Sequence, residues 1–132
     1  MVVSPVGRPV LVVEDDFSSL EVLVLLMHGA GLQVVSASDG EEAWAKLEAE
    51  PGVALVVTDF MMPRLNGVEL CKRMAADPRF AAIPIIIMSA TWRERIEDLP
   101  QVVGVFVKPL LFDELLATVE RVLARGEAGE AG

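Results

Sequence analysis

The chain has 132 residues, which suits one domain with a full hydrophobic core. Its formal net charge of −9 argues against binding nucleic acid or anionic membranes through basic patches. Cys71 is the only cysteine, so an internal disulfide is excluded and a cytoplasmic location is expected. The longest apolar run, Val22–Met27, is far shorter than the ~20 residues of a membrane-spanning helix, so we predict no membrane segment.

Short apolar runs rich in Val and Ile recur along the chain and are predicted to be strands. They are apolar at consecutive positions rather than at alternate ones, which is typical of a parallel sheet covered by helices on both faces. The predicted strands are Val10–Val13, Leu32–Val35, Ala54–Val57, Ile83–Met88 and Val102–Val107.

Helical patterns fill the intervals between these strands. The first three helices have candidate capping boxes, in which a polar N-cap and a glutamate three residues later satisfy free backbone N–H groups. These boxes begin at Ser18, Asp39 and Asn66. A short fourth helix is predicted over Thr91–Leu99, and a fifth from Phe112 to about Ala124. The alternation predicts an α/β fold with a doubly wound parallel sheet. We expect an N-terminal extension over residues 1–8, a domain over 9–125 and a disordered tail over 126–132.

Polar and charged residues follow the predicted strands. Glu14 and Asp15 follow the first strand, Asp59 the third, Ser89 the fourth and Lys108 the fifth. Ligands of open α/β sheets bind beyond the carboxyl ends of the strands, so these side chains mark the expected site. If the first and third strands are neighbours, Asp15 and Asp59 converge, and they repel unless a cation or proton intervenes. A set of hard oxygen donors with room for water suits Mg²⁺ or Mn²⁺.

A longer motif surrounds Asp59: the segment 56–67 reads VVTDFMMPRLNG. Together with Glu14-Asp15, Ser89-Ala90 and Lys108-Pro109, in this order, it resembles the receiver domain of two-component response regulators, especially the single-domain chemotaxis type. The resemblance covers about Pro9–Arg125. It implies a flavodoxin-like (βα)5 fold with strand order 2-1-3-4-5.

The resemblance also implies a function in phosphorelay signalling. Asp59 would accept a phosphoryl group from a histidine kinase or histidine phosphotransfer protein, and Lys108 and Ser89 would contact the phosphoryl oxygens. Self-phosphorylation and autodephosphorylation would be the chain's only catalysis, and its output would be binding of a downstream protein target. The implied ligands of Mg²⁺ are Asp15, Asp59 and the backbone oxygen of Met61, with Glu14 acting through a water molecule.

Two features depart from the usual pattern of that family. The position three residues before the lysine, where the family often has Tyr or Phe, is Val105, and Phe106 is expected to point to the opposite face. The interval from Ser89 to Lys108 is also short, which shortens the fourth helix. The main apolar face of the first helix is predicted to comprise Leu20, Leu23, Val24, Leu26, Met27 and Ala30. Val22 lies at the border of this face and Leu25 on the opposite side, so these two are either the edge of a broad core face or a docking surface for the kinase.

Three other functions compete with phosphorelay signalling. A phosphorylation-independent interaction module of the same fold would not need the full set of acids, hydroxyl and lysine. A hydrolase with an aspartyl nucleophile usually has a second Asp two residues later, where this chain has Met61. A flavodoxin-like electron carrier needs a phosphate-binding first loop, but the acids at 14–16 would repel a flavin phosphate.

Overall fold

The computed structural model describes residues 8–50, 52–61, 66–90 and 99–131, with residues 126–131 described by their backbone alone. Within these ranges there are five strands and four helices, and a helix follows each strand except the fourth. The strands are β1 (Val10–Val13), β2 (Val34–Ala37), β3 (Leu55–Asp59), β4 (Ile85–Ser89) and β5 (Val102–Val107). The helices are α1 (Phe17–Gly29), α2 (Gly40–Ala49), α3 (Gly67–Ala75) and α4 (Phe112–Ala131).

The strands form one parallel sheet in the order β2-β1-β3-β4-β5, which confirms the predicted topology. Because β1 and β3 are neighbours at the centre, their carboxyl ends lie side by side. The helix predicted over Thr91–Leu99 lies outside the described residues, apart from Leu99. None of the described helices is long and apolar enough to span a lipid bilayer.

Each face of the sheet has its own core, because successive strand residues point to opposite sides. Leu11 and Val13 pack on the face that α2 and α3 cover, whereas Val10 and Val12 pack on the face that α1 and α4 cover. Burial of a large aliphatic side chain contributes roughly 1.5–3 kcal/mol. The demand for apolar residues on both faces explains why the strand sequences do not alternate.

Several element ends differ from the predicted ones. The second strand is Val34–Ala37 rather than Leu32–Val35, because pairing with Val10–Val13 decides which residues join the sheet. The strands β3 and β4 each extend to the polar residue predicted to follow them. Helix α4 continues past Ala124 to Ala131, through the segment for which the sequence predicts disorder. The Ala and Glu residues of that segment favour helices, whereas Gly126 and Gly129 do not.

The helix starts test the predicted capping boxes. The box at Asn66 is present in full, with both reciprocal hydrogen bonds. Asp39 caps α2 by accepting from the N–H of Glu42, but the Glu42 carboxylate accepts from Ser38 instead of closing the box. The box predicted at Ser18 is wrong, because α1 begins two residues earlier at the N-cap Asp16.

Asp16 takes the N-cap position because its carboxylate accepts from both the hydroxyl and the backbone N–H of Ser19, at 2.7 and 2.9 Å. These hydrogen bonds, the hydroxyl first, lower the pKa of Asp16. Asp16 is therefore a helix-capping residue.

The strand β5 contains an irregularity that controls where its side chains point. Ile85 pairs with Val102 but Ile86 pairs with Gly104, so Val103 is the extra residue of a bulge. Beyond it, Val105 packs on the α2/α3 side and Phe106 on the α1/α4 side, as expected from their order in the sequence.

The amino end of β5 is anchored by a neutral side chain. The Nε2 atom of Gln101 donates to the carbonyl oxygens of Phe80 and Ile83, at 3.0 and 2.6 Å. These hydrogen bonds connect the segment after α3 to the start of β5. They lie at the amino ends of the strands, opposite the ends where Glu14, Asp15 and Asp59 are found.

Candidate functional site

The carboxyl ends of the strands bring the predicted site residues together. Asp59 is the last residue of β3 and Ser89 the last of β4, and both are buried. Glu14 and Lys108 directly follow β1 and β5. Because neighbouring strands are paired in parallel register, these residues share one edge of the sheet.

Lys108 connects the acids of two other strands. Its Nζ atom donates to Glu14 Oε1 and to Asp59 Oδ2, both at 3.0 Å. Its own backbone is fixed at the same edge, since its N–H donates to the carbonyl oxygen of Ser89 at 2.8 Å. The side chain therefore reaches past the end of β4 to the centre of the sheet.

Glu14 is held at both of its carboxylate oxygens. One oxygen accepts from Lys108, and the other accepts from the backbone N–H of Asp16 at 3.0 Å. Only 1% of this residue is exposed. The sequence predicted Glu14 as an acid that acts on a metal through water, but it did not predict the ion pair with Lys108. That pair joins residues 94 positions apart, and no local pattern signals it.

Burial and neighbouring charges shift the pKa of two groups in this site. Burial, assisted by the neighbouring Glu14 carboxylate, raises the pKa of Asp59 to about 6 although Lys108 opposes the shift. Burial alone would lower the pKa of Lys108, but its hydrogen bonds to Glu14 and Asp59 outweigh that effect and raise it. The ammonium therefore stays charged. Its single positive charge is outnumbered by the acidic side chains of the cluster, so the cluster keeps excess negative charge.

The acid cluster fits a small divalent cation. Glu14, Asp15 and Asp59 each offer a carboxylate oxygen, and these oxygens lie within 4.8 Å of one another. Asp15 is exposed, which leaves room for the water ligands that Mg²⁺ retains. Met61, whose backbone oxygen is the fourth predicted ligand, lies two residues beyond Asp59 with its side chain exposed.

Comparison with known proteins identifies the class of this fold and site. The family model of the response regulator receiver domain matches residues 10–120. The chain belongs to the response regulator receiver family, and its role is that of a receiver domain in two-component signal transduction.

Curated relatives include regulators of two kinds. The chain is 33% identical over 128 residues to the alkaline phosphatase synthesis transcriptional regulatory protein PhoP of Bacillus subtilis, covering 92% of this chain and 50% of PhoP. It is 38% identical over 80 residues to the chemotaxis protein CheY1 of Helicobacter pylori strain J99, covering 60% of this chain and 64% of CheY1. The chain thus spans half to less than two thirds of the length of these relatives.

Solved structures agree with the family assignment. A response regulator receiver protein from Pseudomonas putida has a TM-score of 0.78 and 30% identity, covering 89% of this chain and 98% of that one. The receiver domain of the Francisella response regulator 1452 has a TM-score of 0.80 and 29% identity, covering 90% and 98%. The predicted flavodoxin-like receiver fold is confirmed, and the phosphorylation-independent alternative is not favoured.

Proposed function

We propose that Asp59 accepts a phosphoryl group from a phosphohistidine of a histidine kinase or histidine phosphotransfer protein. A carboxylate oxygen of Asp59 attacks phosphorus, the bond from phosphorus to the imidazole nitrogen breaks, and an acyl phosphate forms. The observation that carries this proposal is the placement of a buried carboxylate 3.0 Å from the Lys108 ammonium and beside two further acids.

The surrounding groups suit this chemistry. With a pKa of about 6, Asp59 is mostly ionised at neutral pH and can act as a nucleophile. Lys108 offsets negative charge on the transferred group, and the Ser89 hydroxyl at the end of β4 is the predicted hydrogen-bond donor to it. These groups are fixed by the sheet, so little reorganisation is needed during transfer.

A divalent cation is the proposed cofactor, Mg²⁺ or alternatively Mn²⁺. Asp15, Asp59 and the backbone oxygen of Met61 would hold it directly and Glu14 through water. When bound, the ion neutralises charge on the phosphoryl oxygens. Beyond its own phosphorylation and dephosphorylation, we propose no turnover of external substrates, a cytoplasmic location and an output through binding of a target protein.

The proposal predicts covalent phosphorylation at one position. Incubation of the purified chain with acetyl phosphate and Mg²⁺ should add the mass of one phosphoryl group, and hydroxylamine should remove it because it cleaves acyl phosphates. Asp59→Asn should abolish the mass gain, whereas Asp113→Asn, at an exposed acid of α4, should leave it unchanged. No mass gain in the wild type, or a full gain in Asp59→Asn, would contradict the proposal.

An apolar groove beside the site is the proposed docking surface for the phosphodonor. It lies between α1 and the start of α4, has a volume of about 410 Å³, and includes Glu14 and Lys108 in its lining. Val22 and Leu26 line it as well, and they are 54% and 42% exposed. A helix bound in this groove would therefore lie next to the phosphoacceptor.

The helix α1 shows which of its apolar residues belong to the core. Leu23 and Met27 are buried, as predicted. Leu26 was placed on the same core face but is partly exposed, because its side chain borders the groove rather than the sheet. Leu25, expected on the opposite side, is 68% exposed. The exposed residues favour the docking alternative over a broad core face.

A charged side chain introduced into this groove should slow transfer from a docked kinase without affecting phosphorylation by a small phosphodonor. Leu26→Glu should slow phosphotransfer from the cognate kinase by at least about tenfold, since it places a charge in an apolar interface. Uptake from acetyl phosphate, which needs no docking, should be unchanged. Val103→Glu, at an exposed position of β5 near the opposite edge, is the matched control. The rate of phosphotransfer is measured by screening the organism's histidine kinases against the wild type, Leu26→Glu and Val103→Glu. Equal transfer to all three proteins would refute the assignment of the groove.

A further inference from the structure

The first residue of α3 is a glycine that local conformation does not explain. Gly67 begins the helix directly after the N-cap Asn66. Its backbone is not among the positive-φ conformations that favour glycine, which in the described part of the chain occur at Gly31 and Gly52. Alanine is a better helix former than glycine, so another constraint must act at this position.

That constraint is a close approach between helix and strand. A Cβ atom on Gly67 would overlap the carbonyl oxygen of Asp59, and it would lie 3.1 Å from both the Cα and the carbonyl oxygen of Phe60. The clashing atoms belong to the backbone, so a rotamer change cannot relieve the overlap. Either α3 or the backbone of Asp59 would have to move.

The backbone at Asp59 and Phe60 is held from several directions. The N–H of Gly67 donates to the Phe60 carbonyl oxygen at 2.9 Å, which binds the start of α3 to this segment. On the other side, the N–H of Phe60 donates to the carbonyl oxygen of Met88 in β4 at 2.7 Å. The hydroxyl of Thr58 donates to the Asp59 carbonyl oxygen at 3.1 Å. Movement of α3 would therefore strain bonds that connect directly to the phosphoacceptor.

We propose that Gly67 is a positioning residue for phosphoryl transfer, an inference that rests on the proposed function. Because Gly67 has no side chain, α3 packs against the backbone of Asp59 and fixes its carboxylate opposite Glu14 and Lys108. A side chain at this position displaces the backbone of Asp59. A misplacement of about 1 Å in a catalytic constellation costs on the order of a hundredfold in rate.

The test compares three substitutions. Gly67→Ala introduces the clash. Gly29→Ala adds a Cβ atom at the end of α1, where no heavy atom other than those of its chain neighbours and the nearby helix backbone lies within 4 Å. Asn66→Ala removes the cap of α3 but leaves the close approach intact. For each protein we would measure the dissociation constant for Mg²⁺ by calorimetry, the rate of phosphoryl uptake from acetyl phosphate, and the thermal midpoint.

We expect Gly67→Ala to weaken Mg²⁺ binding and to slow phosphoryl uptake, each by at least about tenfold. Gly29→Ala should match the wild type in both, and Asn66→Ala should lower the thermal midpoint with Mg²⁺ affinity retained. If Gly67→Ala reduces the folded fraction, the same comparison is made in sucrose, which favours the compact state.

Wild-type values for Gly67→Ala would overturn the inference and leave the proposed function intact. The inference also fails if Asn66→Ala loses as much Mg²⁺ affinity as Gly67→Ala for an equal loss of stability, because a general weakening of α3 would then suffice. A wild type that neither binds Mg²⁺ nor takes up phosphoryl would overturn the proposed function and this inference with it.

Discussion

Replacing Lys108 with methionine should slow phosphoryl uptake from acetyl phosphate on the order of a hundredfold, the typical effect of removing one donor that stabilises transition-state charge. The Lys108 ammonium lies 3.0 Å from Asp59 Oδ2, so it is already placed where negative charge accumulates. Methionine keeps much of the length of the side chain but has no charge and no N–H donor. Rapid-quench measurements at saturating Mg²⁺ provide the rate.

A second readout separates loss of charge stabilisation from loss of the metal. Lys108 competes with a cation for Glu14 and Asp59, so Lys108→Met should bind Mg²⁺ at least as tightly as the wild type does. Lys72→Met, at an exposed position of α3, should behave as the wild type in both measurements. An unchanged uptake rate in Lys108→Met would contradict the role assigned to the lysine.

Replacing Asp59 with asparagine should stabilise the metal-free protein at neutral pH. The folded-state pKa of Asp59 is about 6, above the ordinary value of 3.8, so the folded protein binds more protons than the unfolded chain between these values. Stability therefore falls as the pH rises through this window and stays lower above it. The asparagine side chain cannot ionise, so the variant escapes that loss, and its advantage should vanish near pH 4.

Added Mg²⁺ should remove most of this advantage of Asp59→Asn. A ligand that binds the folded state alone adds about 2.7 kcal/mol at a concentration of 100 times its dissociation constant. The wild type should gain this stabilisation, whereas Asp59→Asn, which lacks one carboxylate ligand, should gain much less. Urea denaturation with EDTA and with Mg²⁺, each at pH 4 and pH 8, measures both effects. A variant that is less stable than the wild type in EDTA at pH 8 would contradict the electrostatic account of Asp59.

The sheet was predictable because its requirements are local. Strands covered on both faces need consecutive apolar residues, and the runs at Val10–Val13 and Val102–Val107 match β1 and β5. The second strand was displaced by two residues because its limits depend on pairing with β1, which lies far away in the sequence. The cap of α1 was misplaced because Ser18 and Glu21 match the capping-box pattern, whereas Asp16 takes the cap position through its two hydrogen bonds from Ser19.

The candidate site was predictable as a set of residues but not as a set of contacts. Reading the residue after each strand found Glu14, Asp59 and Lys108, and the fold brings them together. The Glu14–Lys108 pair was missed because it depends on the order and register of four strands, β1, β3, β4 and β5. The close approach at Gly67 was missed as well. A glycine at the first position of a predicted helix was the available signal, since helix propensity disfavours it.

The hydrogen bonds of Gln101 bear on how the domain responds to a change of charge at the carboxyl ends of its strands. The strand β4 has five residues, so its amino and carboxyl ends lie roughly 15 Å apart at about 3.3 Å per residue. The amide of Gln101 carries no charge, and its bonds to the carbonyl oxygens of Phe80 and Ile83 do not vary with protonation or ionic strength. A phosphoryl group on Asp59, as proposed, should therefore leave the hydrogen bonds at the opposite ends of the strands unchanged. We expect the amino ends of β4 and β5 to keep their register when the charge at their carboxyl ends changes.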